Sequence, residues 1–85
     1  MSYAVTLLRD AQKALDKMDE GLYGRLIRAM RLLEADPRHS GVVKMSGGDD
    51  LYRVRVGDWR IVYAIRDNEL IVIVIRIGHR REVYR

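Results

Sequence analysis

The chain contains no cysteine, which excludes both a disulfide framework and a thiolate zinc site. Its only histidines are His39 and His79, too few to build a metal site alone, and no metal or other cofactor is expected. Long apolar stretches are also missing. The longest, Leu70 to Ile75, is about a third of what a membrane helix needs. Residues 1–8 lack the basic segment, apolar stretch and small-residue cleavage site of a secretory signal. A soluble, cytoplasmic protein with no membrane partner is therefore expected. With 85 residues there is room for one domain, spanning 1–85, and for a modest core.

The net charge is +4, and its distribution says more than its size. Residues 1–50 hold eight Lys/Arg and eight Asp/Glu. Residues 51–85 hold eight arginines against Asp58, Asp67, Glu69 and Glu82, so the whole excess lies there. Arginine presents a planar fork of donors that matches phosphate and stacks on bases. A local arginine excess points to a polyanionic partner, with a merely solvated strand face as the alternative.

Periodicity orders the elements. Residues 3–8 read as a strand. Ala11, Ala14, Leu15 and Met18 fall at helical spacing and predict a helix over 10–18, with Asp10 as its cap or first-turn acid. Asp19 is placed to cap a second helix whose apolar positions are Leu22, Leu26, Met30 and Leu33. That helix should stop near Asp36, because Pro37 disfavours helical geometry in the residue before it. Residues 37–50 read as loop, with a brief extended piece over Val42–Met45. Leu51–Val56 and Trp59–Arg66 form strands joined by Gly57-Asp58, a pair suited to a type II′ hairpin turn. After a turn at Asp67-Asn68, Glu69–Ile77 should be a central strand buried on both faces and ended by Gly78. The order βααβββ predicts an α+β fold: an N-terminal strand and a helical hairpin packed on one face of a twisted, mainly antiparallel sheet.

The hairpin register carries the chemistry. A two-residue loop pairs Val56 with Trp59, Arg55 with Arg60 and Arg53 with Val62. Directly opposed residues share a face, so Arg53, Arg55 and Arg60 project together. Like charges so placed repel, and an acidic partner would relieve that repulsion. The tail Gly78-His79-Arg80-Arg81-Glu82-Val83-Tyr84-Arg85 adds Arg80 and Arg81. If Gly78 lets the chain bend, Arg80 and Tyr84 return over the arginine face. Tyr84 offers a phenol for proton transfer or a ring for stacking on a base, and otherwise a plain packing anchor. His79, an imidazole able to donate or accept a proton, is the other candidate for proton transfer.

The run from Leu51 to Tyr63, a short acidic turn, a hydrophobic strand and then Gly78-His-Arg-Arg-Glu-Val-Tyr84 resemble the RelE branch of the RelE/ParE toxin superfamily. The resemblance spans essentially the whole chain and is specific in the second half. It implies a toxin held by a cognate antitoxin protein, and a metal-independent endoribonuclease that enters the ribosomal A site. There it cuts mRNA by attack of a 2′-hydroxyl, leaving a 2′,3′-cyclic phosphate and a 5′-hydroxyl. It also implies catalytic roles for Arg60, Arg80 and Tyr84 and RNA contacts from Arg53 and Arg55; the tail residues His79 and Arg81 are read as further RNA contacts. Two departures stand out. Some members carry lysine where this chain has Arg53 and Arg55, and Trp59 stands where tyrosine is commoner. A ParE-like gyrase inhibitor and a non-catalytic nucleic-acid-binding module are the competing readings. The segment Gly78–Tyr84 favours the RelE branch.

Overall fold

The structure is a computed structural model and describes residues 2–45 and 50–83. Strand β1 (Ala4–Leu7) leads into helices α1 (Arg9–Asp16) and α2 (Glu20–Ala35). Strands β2 (Val42–Lys44), β3 (Leu51–Val56), β4 (Trp59–Arg66) and β5 (Ile71–His79) follow, and a short helix α3 (Arg80–Val83) closes the described chain. The architecture is α+β, with a five-stranded sheet in the order β1-β5-β4-β3-β2. All neighbours are antiparallel except β1, which lies parallel to β5.

The second helix begins where a side chain satisfies one of its orphan amides. Asp19 accepts a hydrogen bond from the Leu22 N–H at 2.9 Å. It ends at Asp36, next to the buried Pro37. The first helix starts one residue earlier than the periodicity suggested. Leu8 stands at its cap position without a side-chain bond, and Asp10 falls in the first turn, where a carboxylate still favours the helix dipole.

One face of the sheet meets the helices. Ala11 and Leu15 from α1, and Leu26, Met30 and Leu33 from α2, pack on Val54, Ile61, Tyr63, Ile65, Val72, Val74 and Ile77. Tyr63, Leu26, Leu33, Ile61, Val72 and Val74 are fully buried, so truncating one of them should cost several kcal/mol, about 2–5.

The expectation for β5 needs correcting. It is covered on one face only: Val72, Val74 and Ile77 lie under the helices, whereas Ile71, Ile73 and Ile75 are half-exposed. The helical hairpin covers one side of the sheet, and nothing in the described chain forms a layer on the other. Strand β5 also starts and ends two residues later than Glu69–Ile77. A 3₁₀ turn over Asp67–Glu69 and a left-handed Leu70 (φ 54°) take up the residues between the strands. Gly78 does not end β5. It pairs with Arg60, and the strand continues through His79. The brief extended piece after α2 is β2, a strand at the edge of the sheet beside β3.

Candidate functional site

The turn Gly57-Asp58 sets the register that was read from the sequence. Val56 pairs with Trp59, Arg55 with Arg60 and Arg53 with Val62. Gly57 has φ +61°, whereas Asp58 has no positive φ, as a type II′ turn requires. Strand β5 extends both rows: Gly78 lies opposite Arg60, and Arg76 lies opposite Val62. The face turned away from the helices therefore reads Arg55–Arg60–Gly78 in one row and Arg53–Val62–Arg76 in the next. No β5 side chain stands beside Arg60 in its row.

Arg60 is the anchored member of this set. Only 8% of it is exposed, contrary to its reading as an open strand residue. Its Nη1 donates to the carbonyl oxygens of Trp59 at 3.1 Å and Gly57 at 3.4 Å. Arg55 Nε donates to the same Gly57 oxygen at 3.0 Å. A guanidinium drawn from water and tied to backbone carbonyls is held in one orientation. Arg55 is exposed and Arg53 half-exposed.

The tail leaves the sheet differently from the expected bend at Gly78. The chain turns at Arg80, where α3 begins, and that turn is fastened to the hairpin. The Arg80 N–H donates to the Asp58 carbonyl at 2.8 Å, and Arg80 Nε lies 3.9 Å from Asp58 Oδ1. Arg80 thus sits at the same end of the sheet as Arg55 and Arg60. Arg81 is exposed, and its N–H donates to His79 Nδ1 at 3.4 Å. Tyr84 lies outside the described residues.

His79 is separated from the arginine face. Its partner in the register is Trp59, on the helix side of the sheet, and the two rings meet edge to face at 5.6 Å and 83°. The alternation of strand faces separates it from Arg60 and Gly78. A cavity of about 670 Å³ lies beside these rings, lined also by Asp19, Arg25, Arg28 and Asp58. Two basic residues were missed by the sequence reading. Arg76 was hidden by taking its strand as buried on both faces, although a lone arginine in an apolar run was the available signal. Arg25 was visible only as one of three arginines between the apolar positions of α2. Among the described residues no group of three or more His, Asp and Glu side chains is placed to hold a metal ion.

A second polar cluster, at the far end of the β3–β4 hairpin, has a different character. Arg38 grips Asp67 with two hydrogen bonds of 2.9 Å, and the Tyr3 hydroxyl donates to Asp67 at 2.8 Å. The hydrogen bonds from Arg38 and then Tyr3 hold the Asp67 carboxyl down at about 2. The Arg38 guanidinium also lies 5.5 Å from the centre of the Tyr52 ring, which stacks on Tyr63 at 5.9 Å. Tyr63 donates a buried 2.6 Å hydrogen bond to the Pro37 carbonyl, and burial pushes its phenol well up. These contacts use both charges and most polar atoms internally, so the cluster works as a clasp joining β1, the loop after α2 and the turn before β5.

Known proteins share this fold. Residues 5–84 match the family model of the ParE toxin of the type II toxin–antitoxin system parDE. RelE from the archaeal RelE–RelB complex of Pyrococcus horikoshii is 32% identical, with 94% of this chain and 97% of that one covered at a TM-score of 0.81. The isolated E. coli RelE toxin is 26% identical over 98% of this chain and 92% of its own, with a TM-score of 0.82. Toxin RelG of Mycobacterium tuberculosis is 26% identical over the whole of this chain and 99% of its own length. The chain belongs to the ParE toxin family of type II toxin–antitoxin systems, within the RelE/ParE superfamily.

Proposed function

We propose that this toxin is a ribosome-dependent endoribonuclease that cuts mRNA in the A site. The observation that carries the reading is the anchored Arg60, set on one sheet face with Arg53, Arg55 and Arg76 and with Arg80 fastened to the adjacent turn. Cleavage by a neighbouring 2′-hydroxyl forms a bond from O2′ to phosphorus and breaks the bond from phosphorus to O5′. One group must take the 2′-hydroxyl proton and another must give a proton to O5′. Fixed guanidiniums stabilise the extra negative charge of the pentacoordinate phosphorane between those steps.

In this scheme Arg60 and Arg80 contact the reacting phosphate. Arg53, Arg55 and Arg81 position the backbone on either side. Tyr84 transfers a proton or stacks on a base, whereas His79, on the helix side of the sheet beside Trp59, contacts RNA away from the reacting phosphate. The in-line geometry comes from the ribosome, which holds the codon rigid. No catalytic metal takes part. The relatives' solved complexes of RelE with RelB support a cognate antitoxin as this chain's resting partner. In this reading its targets are the ribosome and mRNA, in the cytoplasm.

Single-turnover cleavage of A-site mRNA on programmed ribosomes, with analysis of the product ends, tests the reading. A 2′,3′-cyclic phosphate and a 5′-hydroxyl are expected, and folded protein that leaves such mRNA intact rejects it. A second reading draws on the description of the matching family model, a ParE toxin. It makes the chain an inhibitor of DNA gyrase without nuclease chemistry. Inhibition of gyrase supercoiling together with intact mRNA would select it.

A further inference from the structure

We infer that the RNA-binding surface does not stop at the arginine face but continues around the Gly57-Asp58 turn into the trough on the helix side, where Arg25 and Arg28 take phosphate and Trp59 and His79 take a base. The inference rests on the nucleic-acid reading above and extends it to residues outside the proposed catalytic set.

The turn is a meeting point for guanidiniums from both sides of the sheet. Arg55 and Arg60 donate to the Gly57 carbonyl from one side. Arg25 reaches the same turn from α2: a Cβ added at Gly57 would lie 2.6 Å from Arg25 Nη2. Cations gathered around one backbone turn repel one another, and an anionic ligand spanning them relieves the repulsion. Arg28 lies one helical turn further along α2, and both Arg25 and Arg28 are exposed.

The acids nearby do not neutralise this pair. Asp19 is engaged in capping α2 through the Leu22 N–H, and Asp58 faces Arg80. Among the described residues, neither Arg25 nor Arg28 has a carboxylate within ion-pair distance.

The trough supplies surfaces for a base as well as for phosphate. Trp59 and His79 line the cavity of about 670 Å³, and both rings are half-exposed. The hydrogen bond from the Arg81 N–H to His79 Nδ1 places the proton of the neutral ring on Nε2, leaving a donor for a base edge or ribose. A second cavity, of about 600 Å³, shares Asp19, Leu22 and Trp59 with the first and brings Lys13 and Lys17 to its rim. Phosphate-binding cations beside an aromatic platform are what a single-stranded RNA segment requires. A strand crossing the turn would touch both faces at once. His79, stranded on the wrong side for the arginine face, then contacts a neighbouring nucleotide instead of the cleaved one.

Ribosomes programmed with an A-site codon carrying 2′-O-methyl riboses provide the probe, because the blocked nucleophile lets binding be read without cleavage. The full chain with R25E/R28E should bind about tenfold or more weakly. The slope of log affinity against log salt should fall by about 1–2, the loss of two phosphate contacts. Trp59→Leu should weaken binding about fivefold or more, the loss of a stacked base. Trp59 also packs on the core, so thermal melts accompany that variant, while the exposed Arg25 and Arg28 keep the test decisive if it unfolds. Unchanged affinity and salt slope in folded R25E/R28E overturn the inference. So does a variant that binds ribosomes normally but escapes inhibition by the antitoxin, which would assign the trough to a protein partner. Wild-type protein that binds these ribosomes yet never cuts the unmodified codon rejects the nuclease reading and leaves the trough standing. Wild-type protein that binds neither ribosomes nor single-stranded RNA overturns both.

Discussion

Arg60 and Arg80 carry different burdens, and substitution should separate them. Arg60→Ala should slow cleavage about 10²-fold or more, the scale for losing one preorganised donor. It should also cost up to about 1 kcal/mol of stability, because the Trp59 carbonyl loses this donor and the Gly57 carbonyl keeps only Arg55, at a part-buried position. Arg80→Ala should slow cleavage on a similar scale at little cost in stability, since its 3.9 Å pair with Asp58 is largely solvated. Single-turnover kinetics on programmed ribosomes and chemical denaturation measure the two effects. Rates near wild type for both variants would remove the electrostatic role. For Tyr84, the comparison of Phe with Ala is informative. If the phenol moves a proton, Tyr84→Phe is as slow as Tyr84→Ala. A Phe variant at full speed would leave only stacking.

At the scale of elements, two connections hold the sheet's ends. The clasp of Tyr3, Arg38 and Asp67 depends on an ionised carboxylate. The Asp67 carboxyl titrates near 2 in the folded chain, below its ordinary value of 3.8. Its contribution is therefore complete above about pH 4 and is lost as the pH falls towards 2. Asp67→Asn should lower stability at neutral pH and flatten that part of the acid-denaturation curve. An unchanged acid limb would show that the clasp adds nothing. At the other end, Gly57→Ala meets both a positive φ and the Arg25 guanidinium. It should lower stability by about 1–2 kcal/mol in equilibrium unfolding, and a neutral result would mean that the turn relaxes freely.

These same elements show what a sequence discloses. The β3–β4 register was legible because Gly57-Asp58 interrupts two alternating runs, and turn chemistry fixes such a hairpin locally. The caps and boundaries of α2 were legible through Asp19 and Pro37 for the same reason. Strand β5 was not, because Leu70 to Ile77 lacks clear alternation. A register shift opposite Val62 and Tyr63 disrupts its pairing, and only tertiary contact reveals which residues face the helices. The separation of His79 from Arg60 followed from that missed end. Arg25 joins the turn across more than thirty residues of sequence, a contact no local pattern announces.

For the whole molecule, the charge imbalance of the last third predicts behaviour in the cell. Expression of the chain alone should arrest growth, and co-expression of its antitoxin should restore it. Normal growth with abundant folded protein and no antitoxin would turn the reading towards a plain binding module. Association with the antitoxin should slow as salt is raised, as expected when complementary charge steers the encounter. A rate indifferent to salt would place the recognition in apolar contacts. No helix among the described residues is long and apolar enough to cross a membrane.

The parallel pairing of β1 with β5 has a consequence for synthesis. The first strand made is the last to find its neighbour, because among the described strands β1 pairs with β5 alone. Every contact between them closes a loop of most of the chain, the costly kind of contact that forms late in folding. A nascent chain that has not yet released β5 from the ribosome has neither a closed sheet nor the Arg60–Gly78 row. The arginine face therefore stays incomplete until β5 has emerged and paired, and an antitoxin gains that interval to be ready.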